Sequence, residues 1–515
     1  MTMKKDKRIQ KFQNRTFLFV LFVFAQINLF AQTKIYHEPY RPQVHFSPAA
    51  HWMNDPNGMV FYNGIYNLFY QYYPDSTVWG PMHWGHATST DLIHWQEQPI
   101  ALYPDSLGFI FSGSAVVDKA NTSGFGVGGK APIVAIYTSH NMAAERAGKT
   151  DYERQCIAYS LDGGKTFTKY NNNPVLPNES GSRDFRDPKV MWFEKEKKWV
   201  MILAVKDHVS FYSSPNLKNW THESDFGNTL GAHGGVWECP DIFPLQYRGK
   251  EVWVVIVNIN PGGPNGGSGT QYFTGQFDGK KFTPDDSDIT KWMDYGADNY
   301  AGVTWSNVGN RHILLGWMSN WLYANKVPTS TWRSANTLPR EMALKEIGSK
   351  LYVTSMPVKE LNSIATPVVS LNNSKAGDEI GAKTKTINTA YRVTISADKL
   401  DDISFTFSNA SGEKLVAGYN KKNNQYFIDR TDAGQSDFYK NFAEKHTAPR
   451  LSNDDKMNFT FIIDAASIEM FADDGVTVMT EIFFPKSLLN QIQISSPSHQ
   501  PIEKIQIDKL SSIWK

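Results

Sequence analysis

The chain has 515 residues, with 52 basic and 51 acidic side chains, 13% aromatic residues and two cysteines. That length exceeds one ordinary core and points to two domains. Near-neutral charge argues against nucleic acid or another polyanion as the main partner, and Cys156 and Cys239 cannot build a disulfide framework, though they leave room for one bridge.

Residues 1–31 read as a secretory signal. Lys4, Lys5, Lys7, Arg8, Lys11 and Arg15 precede an apolar run over 17–25, and Ala31 offers a small residue for cleavage. The unbroken run is shorter than the ~20 residues that span a bilayer. No cysteine stands near Ala31 to take a lipid anchor. The mature chain is therefore expected to be exported, periplasmic or secreted, without a stable membrane anchor. Having lost six basic residues and one acid, it carries a formal charge of about −4.

No long stretch keeps a 3.6-residue apolar period, whereas short alternating runs closed by turn residues recur throughout, so the chain reads as all-β. Runs at 59–62 and 65–70 flank Asn63-Gly64, the strongest hairpin signal present. A second hairpin is expected where 190–193 and 199–205 flank the charged turn 194–198, with further strands at 251–259 and 311–318. A loose repeat aligns Ser89-Thr-Asp-Leu-Ile-His-Trp95, Ser160-Leu-Asp-Gly-Gly-Lys-Thr-Phe167 and Ser214-Pro-Asn-Leu-Lys-Asn-Trp220, with a weaker copy at Asp278-Gly-Lys-Lys-Phe282. The aromatic ends lie 72, 53 and 62 residues apart. That is the size of a four-stranded propeller blade, and five such blades fit residues 36–355. Beyond about residue 365 tryptophan nearly vanishes and alternation becomes clean, as in 391–395, 403–407, 459–463 and 502–507. A β-sandwich is expected over 366–515, with its junction in the Ser/Asn/Gly-containing stretch 362–377.

Three acids sit between turn-forming or aromatic neighbours: His51-Trp-Met-Asn-Asp-Pro-Asn-Gly58, Phe185-Arg-Asp-Pro188 and Trp237-Glu-Cys-Pro-Asp241. Each is expected in a loop at a strand end. A lone Asp-Pro pair is ordinarily a turn, but three framed acids within one repeat domain suggest a shared site. Glycoside hydrolysis needs one carboxyl to attack or direct water and another to protonate the leaving oxygen. Glu238, beside Trp237 and Cys239, is expected to hold its proton through apolar surroundings. Asp55, near Asn54 and Asn57, is expected to be the ionised partner.

These segments resemble the β-fructosidases of glycoside hydrolase family 32, the invertases, inulinases and levanases. The resemblance implies a five-bladed β-propeller followed by a C-terminal β-sandwich. It also implies Asp55 as nucleophile, Glu238 as acid/base and Asp187 as transition-state stabiliser. Further matching segments are Phe69-Tyr-Gln71, Trp79-Gly-Pro-Met-His-Trp-Gly-His86, Phe111-Ser-Gly-Ser114, Gly316-Trp-Met-Ser-Asn-Trp321, and, in the sandwich, Ile468-Glu-Met-Phe-Ala-Asp-Asp-Gly475 with Phe484-Pro485. By the same resemblance Asn54, Gln71, Trp79, Ser112, Arg186 and Trp321 line a fructose subsite. Asp298-Asn-Tyr300 and residues 316–323 resemble the exo-acting members. The implied substrate is a fructan or sucrose-like carbohydrate, cleaved with retention and without a cofactor. Competing readings are a fructosyl transferase or endo-acting fructanase of the same fold, and a non-catalytic fructan-binding protein.

The remaining motifs have plainer readings. His83-x-x-His86 has metal-ligand spacing but no evident third ligand, and no metal is expected. The glycine-rich stretch 261–269 lacks a phosphate-loop ending and reads as a loop, either mobile near the site or plain surface. Asp285, Asp286 and Asp288 read as a solvated loop. Cys239 reads as a small buried neighbour of the acid.

Overall fold

The computed structural model describes residues 36–514, apart from 287, 376–383, 385, 499 and 500. The expected signal at 1–31 lies outside the described residues. Five sheets follow one another along the chain, opening with the inner strands His51–Tyr62, Phe109–Val117, Phe185–Phe193, Val236–Tyr247 and Tyr300–Thr304. Each inner strand packs against the next, and the fifth returns to the first. The five sheets therefore close into a five-bladed propeller. The first blade gains one more strand from late in the chain, because Trp332–Arg333 pairs in parallel with His51–Trp52.

The expected hairpin is present. His51–Tyr62 and Ile65–Tyr73 are joined through Asn63 and Gly64, both at positive φ as a tight hairpin turn requires. The second hairpin joins Phe185–Phe193 to Lys198–Val205. Strands Lys250–Asn260 and Ile313–Met318 occupy the two further places expected for strands, the latter starting two residues late.

The loose repeat turns out to be one structural device. In the first four blades it forms the turn between third and fourth strands. Asp91 Oδ1 accepts from the backbone N–H of Ile93 and His94, Asp162 Oδ1 from Lys165 and Thr166, Asn216 Oδ1 from Lys218 and Asn219, and Asp278 Oδ1 from Lys280 and Lys281. The Asp/Asn recurs because its side chain substitutes for a backbone acceptor in a tight reversal.

The C-terminal part is a sandwich of a six-stranded and a five-stranded sheet. Strand Tyr391–Ala397 alternates buried and half-buried residues along its whole length. Phe405, Phe407, Phe459 and Phe461 fill the space between the sheets, with Phe405 and Phe461 rings 5.0 Å apart. Each such buried ring contributes roughly 1.5–3 kcal/mol. The junction expected at 362–377 is corrected. Ala365–Lys375 is an edge strand paired to Pro501–Leu510, and the linker is the short 3₁₀ helix Lys359–Ile364. Ser370, Asn372 and Asn373, which suggested a linker, are exposed residues of that edge strand.

Residues 36–50 precede the first blade and reach across to the sandwich. Asp464 accepts from the N–H of Gln43 and Val44, and Tyr36 stacks on Trp514 at 3.9 Å. Both cysteines are buried and free.

Candidate active site

All five inner strands lose their register near the same end. The irregularities fall between Met53 and Pro56, Ile110 and Gly113, Arg186 and Lys189, Glu238 and Asp241, and Tyr300 and Val303. A bulge re-aims the side chain beside it. At these bulges stand Asp55, Ser112, Asp187, Glu238 and Tyr300, one from each blade. The three acids were expected in loops; they lie instead inside strands. The prolines that suggested turns, Pro56, Pro188 and Pro240, interrupt the ladder because they have no N–H to donate. Gly58 completes the first motif for a steric reason. Its φ is +56°, and a Cβ there would come within 2.6 Å of the Trp84 ring.

Four of these, Asp55, Ser112, Asp187 and Glu238, border a cavity of about 280 Å³, which is also lined by Asn54, Gln71, Trp79, Arg186 and Trp321. The structure thus brings together all nine residues singled out from the sequence. Asp55 accepts from Ser112 Oγ at 2.7 Å and from Asn54 Nδ2 at 2.9 Å. Asn57 reaches only the Asp55 backbone carbonyl. Asp187 accepts from the Cys239 N–H at 2.9 Å and holds a positive φ of 64°, a strained conformation of a kind that clusters at functional sites. Arg186 donates to Glu238 at 3.0 Å, to Asp184 at 2.7 Å and to Glu153 at 3.3 Å. Tyr300 donates its hydroxyl to the other Glu238 oxygen. Trp52 and Trp317 back the Trp321 ring.

Burial raises the proton affinity of Glu238, against the opposing pull of Arg186 and the Tyr300 hydrogen bond. The expected direction holds, but not the expected neighbours. Trp237 turns into the core between the third and fourth blades, and Glu238 faces an arginine and a phenol. Burial likewise pushes Asp187 up to about 8, reinforced by Glu238 and Asp55 and offset by Arg186. At about 8, Asp187 keeps a proton in the site at neutral pH. The Cys239 thiol, raised by burial and the surrounding acids, stays protonated and lies 3.4 Å from Asp55 and 3.6 Å from Asp187. It is therefore a weak donor to acids.

Sequence reasoning missed the outer wall. Glu153, His140, Glu145, Phe111, Met142, Tyr152 and Asp184 also line the cavity. Glu153 is buried and bonded to His140, Arg186 and the Phe185 N–H. No motif marks it, since its partners stand on other strands, 13 to 33 residues away. Tyr300 stood in a quoted segment, but nothing in one dimension placed it on Glu238.

The other motifs settle into supporting places. His83 Nδ1 meets the Pro81 carbonyl and His86 meets Asn67. The glycine-rich loop props the Trp321 segment, with Ser268 Oγ accepting from the Trp321 N–H and the Gly266 carbonyl accepting from Asn320.

Cleaving a glycosidic bond calls for one carboxyl that attacks and one that delivers a proton. A sugar-sized cavity that sets a hydrogen-bonded aspartate beside a buried glutamate of raised proton affinity offers the groups such a reaction uses, and the protein is a glycoside hydrolase. Comparison with known proteins narrows this. Residues 45–355 match the glycosyl hydrolases family 32 N-terminal domain and residues 358–509 the family 32 C-terminal domain, so the chain belongs to family 32. It is 45% identical to a levanase of Bacillus subtilis over 94% of this chain and 72% of that one. It is 40% identical to an extracellular exo-inulinase of Aspergillus awamori over 93% and 96%. The crystal structure of exo-inulinase from Aspergillus awamori superposes with a TM-score of 0.86 at 38% identity, covering 93% of this chain and all of that one. A β-fructofuranosidase from Schwanniomyces occidentalis complexed with fructosyl-erythritol gives 0.81 at 33%, covering 93% and 99%.

Proposed function

We propose that the protein is an exported, exo-acting β-fructosidase that releases fructose from β-fructans (levan or inulin) and from sucrose. The observation that carries this reading is the meeting of Asp55, Asp187 and Glu238 at one cavity, where Glu238 is held above the ordinary carboxylate range. Asp55 attacks the anomeric carbon of the fructosyl unit and Glu238 protonates the departing oxygen. Glu238 then takes a proton from water as that water displaces Asp55. Asp187 hydrogen-bonds ring hydroxyls, and those bonds tighten as positive charge develops. Asn54, Gln71, Trp79, Ser112, Arg186 and Trp321 hold the terminal fructose. Gln71 suits this role, because its amide nitrogen has no partner among the described residues. In this reading residues 36–355 are the catalytic propeller and 366–515 the sandwich.

The walls contributed by Trp79, Phe111 and Trp321 favour a chain end over a through-going polymer. Chromatography of early products from levan and from inulin tests this: fructose alone is expected, whereas a ladder of oligosaccharides at low conversion would mean an open cleft. Sugar longer than the substrate, accumulating at high sucrose, would instead identify a transferase.

Export is the second part of the reading, supported by the basic and apolar leader and by relatives described as extracellular. Among the described residues no helix is long and apolar enough to cross a membrane. Protein recovered from the host should have lost about 31 residues. An intact mass that includes the leader would contradict this.

A further inference from the structure

Between the fourth and fifth blades the segment 294–300 leaves the propeller and lies along the sandwich. Tyr295 N donates to the Val478 carbonyl at 2.8 Å and Asp298 N to the Thr480 carbonyl at 3.1 Å. Thr480 returns two bonds to Asp294, from N at 2.8 Å and Oγ1 at 2.6 Å. Ile482 N donates to Asp298 Oδ2 at 3.0 Å, and Ala297 N to Glu481 Oε1 at 3.0 Å. The segment thus docks on Thr477–Ile482 almost as another strand. Contact is so close that a Cβ on Gly296 would stand 2.1 Å from the Thr480 oxygen. Arg430, fully buried in the sandwich, grips Asp298 at 2.7 Å and Glu481 at 2.8 Å, and His446 meets the other Glu481 oxygen at 2.7 Å. Two residues beyond Asp298, the chain delivers Tyr300 to Glu238. Gly302 N is then tied to Asn258 Oδ1 at 3.1 Å, which fixes the far side.

The geometry points to a positioning role for the sandwich: Arg430 and the strand Thr477–Ile482 hold Asp298 and, through it, seat the Tyr300 hydroxyl on the carboxyl of Glu238. The inference rests on the reading of Glu238 as the acid/base. It gives the C-terminal sheets a part in the chemistry at a distance, with Arg430 a positioning residue rather than a catalytic one. The groups facing Glu238 are Arg186 and Asp187 from the third blade, Asp55 from the first, Tyr300 from the fifth and the adjacent Cys239. Of these, Tyr300 and Arg186 favour the ionised carboxylate. Removing the tyrosine bond therefore raises the proton affinity of Glu238, and the alkaline limb of kcat/KM moves to higher pH.

The test uses the full chain with sucrose, following kcat, KM, the pH profile and thermal unfolding in Tyr300→Phe, Gly296→Ala and Arg430→Lys. Tyr300→Phe should move the alkaline limb up by about one pH unit, the scale of a hydrogen bond to a charged group. It should also lower kcat by roughly 10-fold, with KM nearly unchanged, as a displaced acid would. Gly296→Ala, which lies outside the cavity lining and changes no charged side chain, should reproduce both changes, and combining it with Tyr300→Phe should add little further. Arg430→Lys should move the limb the same way by less. Folded Gly296→Ala and Arg430→Lys proteins with the parental limb and kcat would overturn the inference; if Gly296→Ala does not fold, Arg430→Lys alone decides it. An unmoved limb in Tyr300→Phe would remove Glu238 as the titrating acid, and the positioning role would fall with that reading.

Discussion

Asp55→Asn is expected to abolish hydrolysis while leaving the fold intact. The carboxylate accepts from Ser112 and Asn54, and an amide oxygen can keep the shorter of those bonds, so the bulge that presents residue 55 has little reason to rearrange. On the proposed reading, what is lost is the nucleophile, and with it the covalent route. Glu238→Gln should cost about 10² to 10⁴-fold, the usual worth of general acid/base catalysis, and the loss in Asp55→Asn should be at least as large. A double displacement also has a stereochemical signature. NMR of freshly released fructose, read before mutarotation, should show the anomeric configuration of the substrate retained. Inverted product, or near-normal turnover in Asp55→Asn, would sink the assignment.

The largest stability effect is expected where the sandwich meets the propeller. Arg340 donates to Glu469 at 2.6 Å, to Asp294 at 2.9 Å and to Thr480 at 2.7 Å. Glu469 in turn meets His45 at 2.7 Å, and His45 meets Asp464 at 2.8 Å. This chain of charge runs through fully buried side chains and joins the fifth blade, the sandwich and the N-terminal arm. Arg340→Met would strand Asp294 without its cation and leave Glu469 with His45 alone, a loss of about 3–5 kcal/mol. Thermal unfolding should record it as a large fall in the first transition. An unfolding curve within a degree of the parent would contradict the network's role.

The same network makes stability depend on pH in a defined way. Its two carboxylates raise His45 from 6.5 to about 9 against the opposing effect of burial. Its contribution is therefore complete below about pH 6.5 and fades as pH rises through about 9. Glu469 is lowered from 4.5 to about 2 against burial, chiefly by Arg340 and His45, and Asp464 is also lowered, chiefly by His45. Their contribution is complete above about pH 4.5 and fades as pH falls toward 2. The difference in unfolding midpoint between the parent and His45→Gln should accordingly shrink between pH 6.5 and 9.

Much of the site was readable in one dimension because its acids are framed by residues with few other uses. Asp55, Asp187 and Glu238 each stand one or two places before a proline. The Asp/Asn turns of the blades left a visible repeat for a similar reason, since their local hydrogen bonds need one residue type at one position. What stayed hidden depends on partners distant in the chain. His45 and Glu469 are 424 residues apart, and Glu153 finds Arg186 across two blades. The edge strand Ala365–Lys375 was misread because an edge tolerates the polar residues of a linker. The acids were misplaced into loops because proline signals a broken ladder without saying whether the strand ends or only bulges.

The parallel pairing of Trp332–Arg333 with His51–Trp52 also bears on how the molecule is made. The strand that carries Asp55 gains its last neighbour only after some 280 further residues have been joined to the chain. A polypeptide still emerging from a ribosome or threading a membrane pore therefore cannot complete its first blade. Closure by so distant a segment is slow, because the entropy of a long loop must be lost before the contact rewards it. The His51–Trp52 end of that strand is thus among the last parts to be secured. Chains truncated before Trp332 should be inactive and prone to pair through the exposed edge of the first blade.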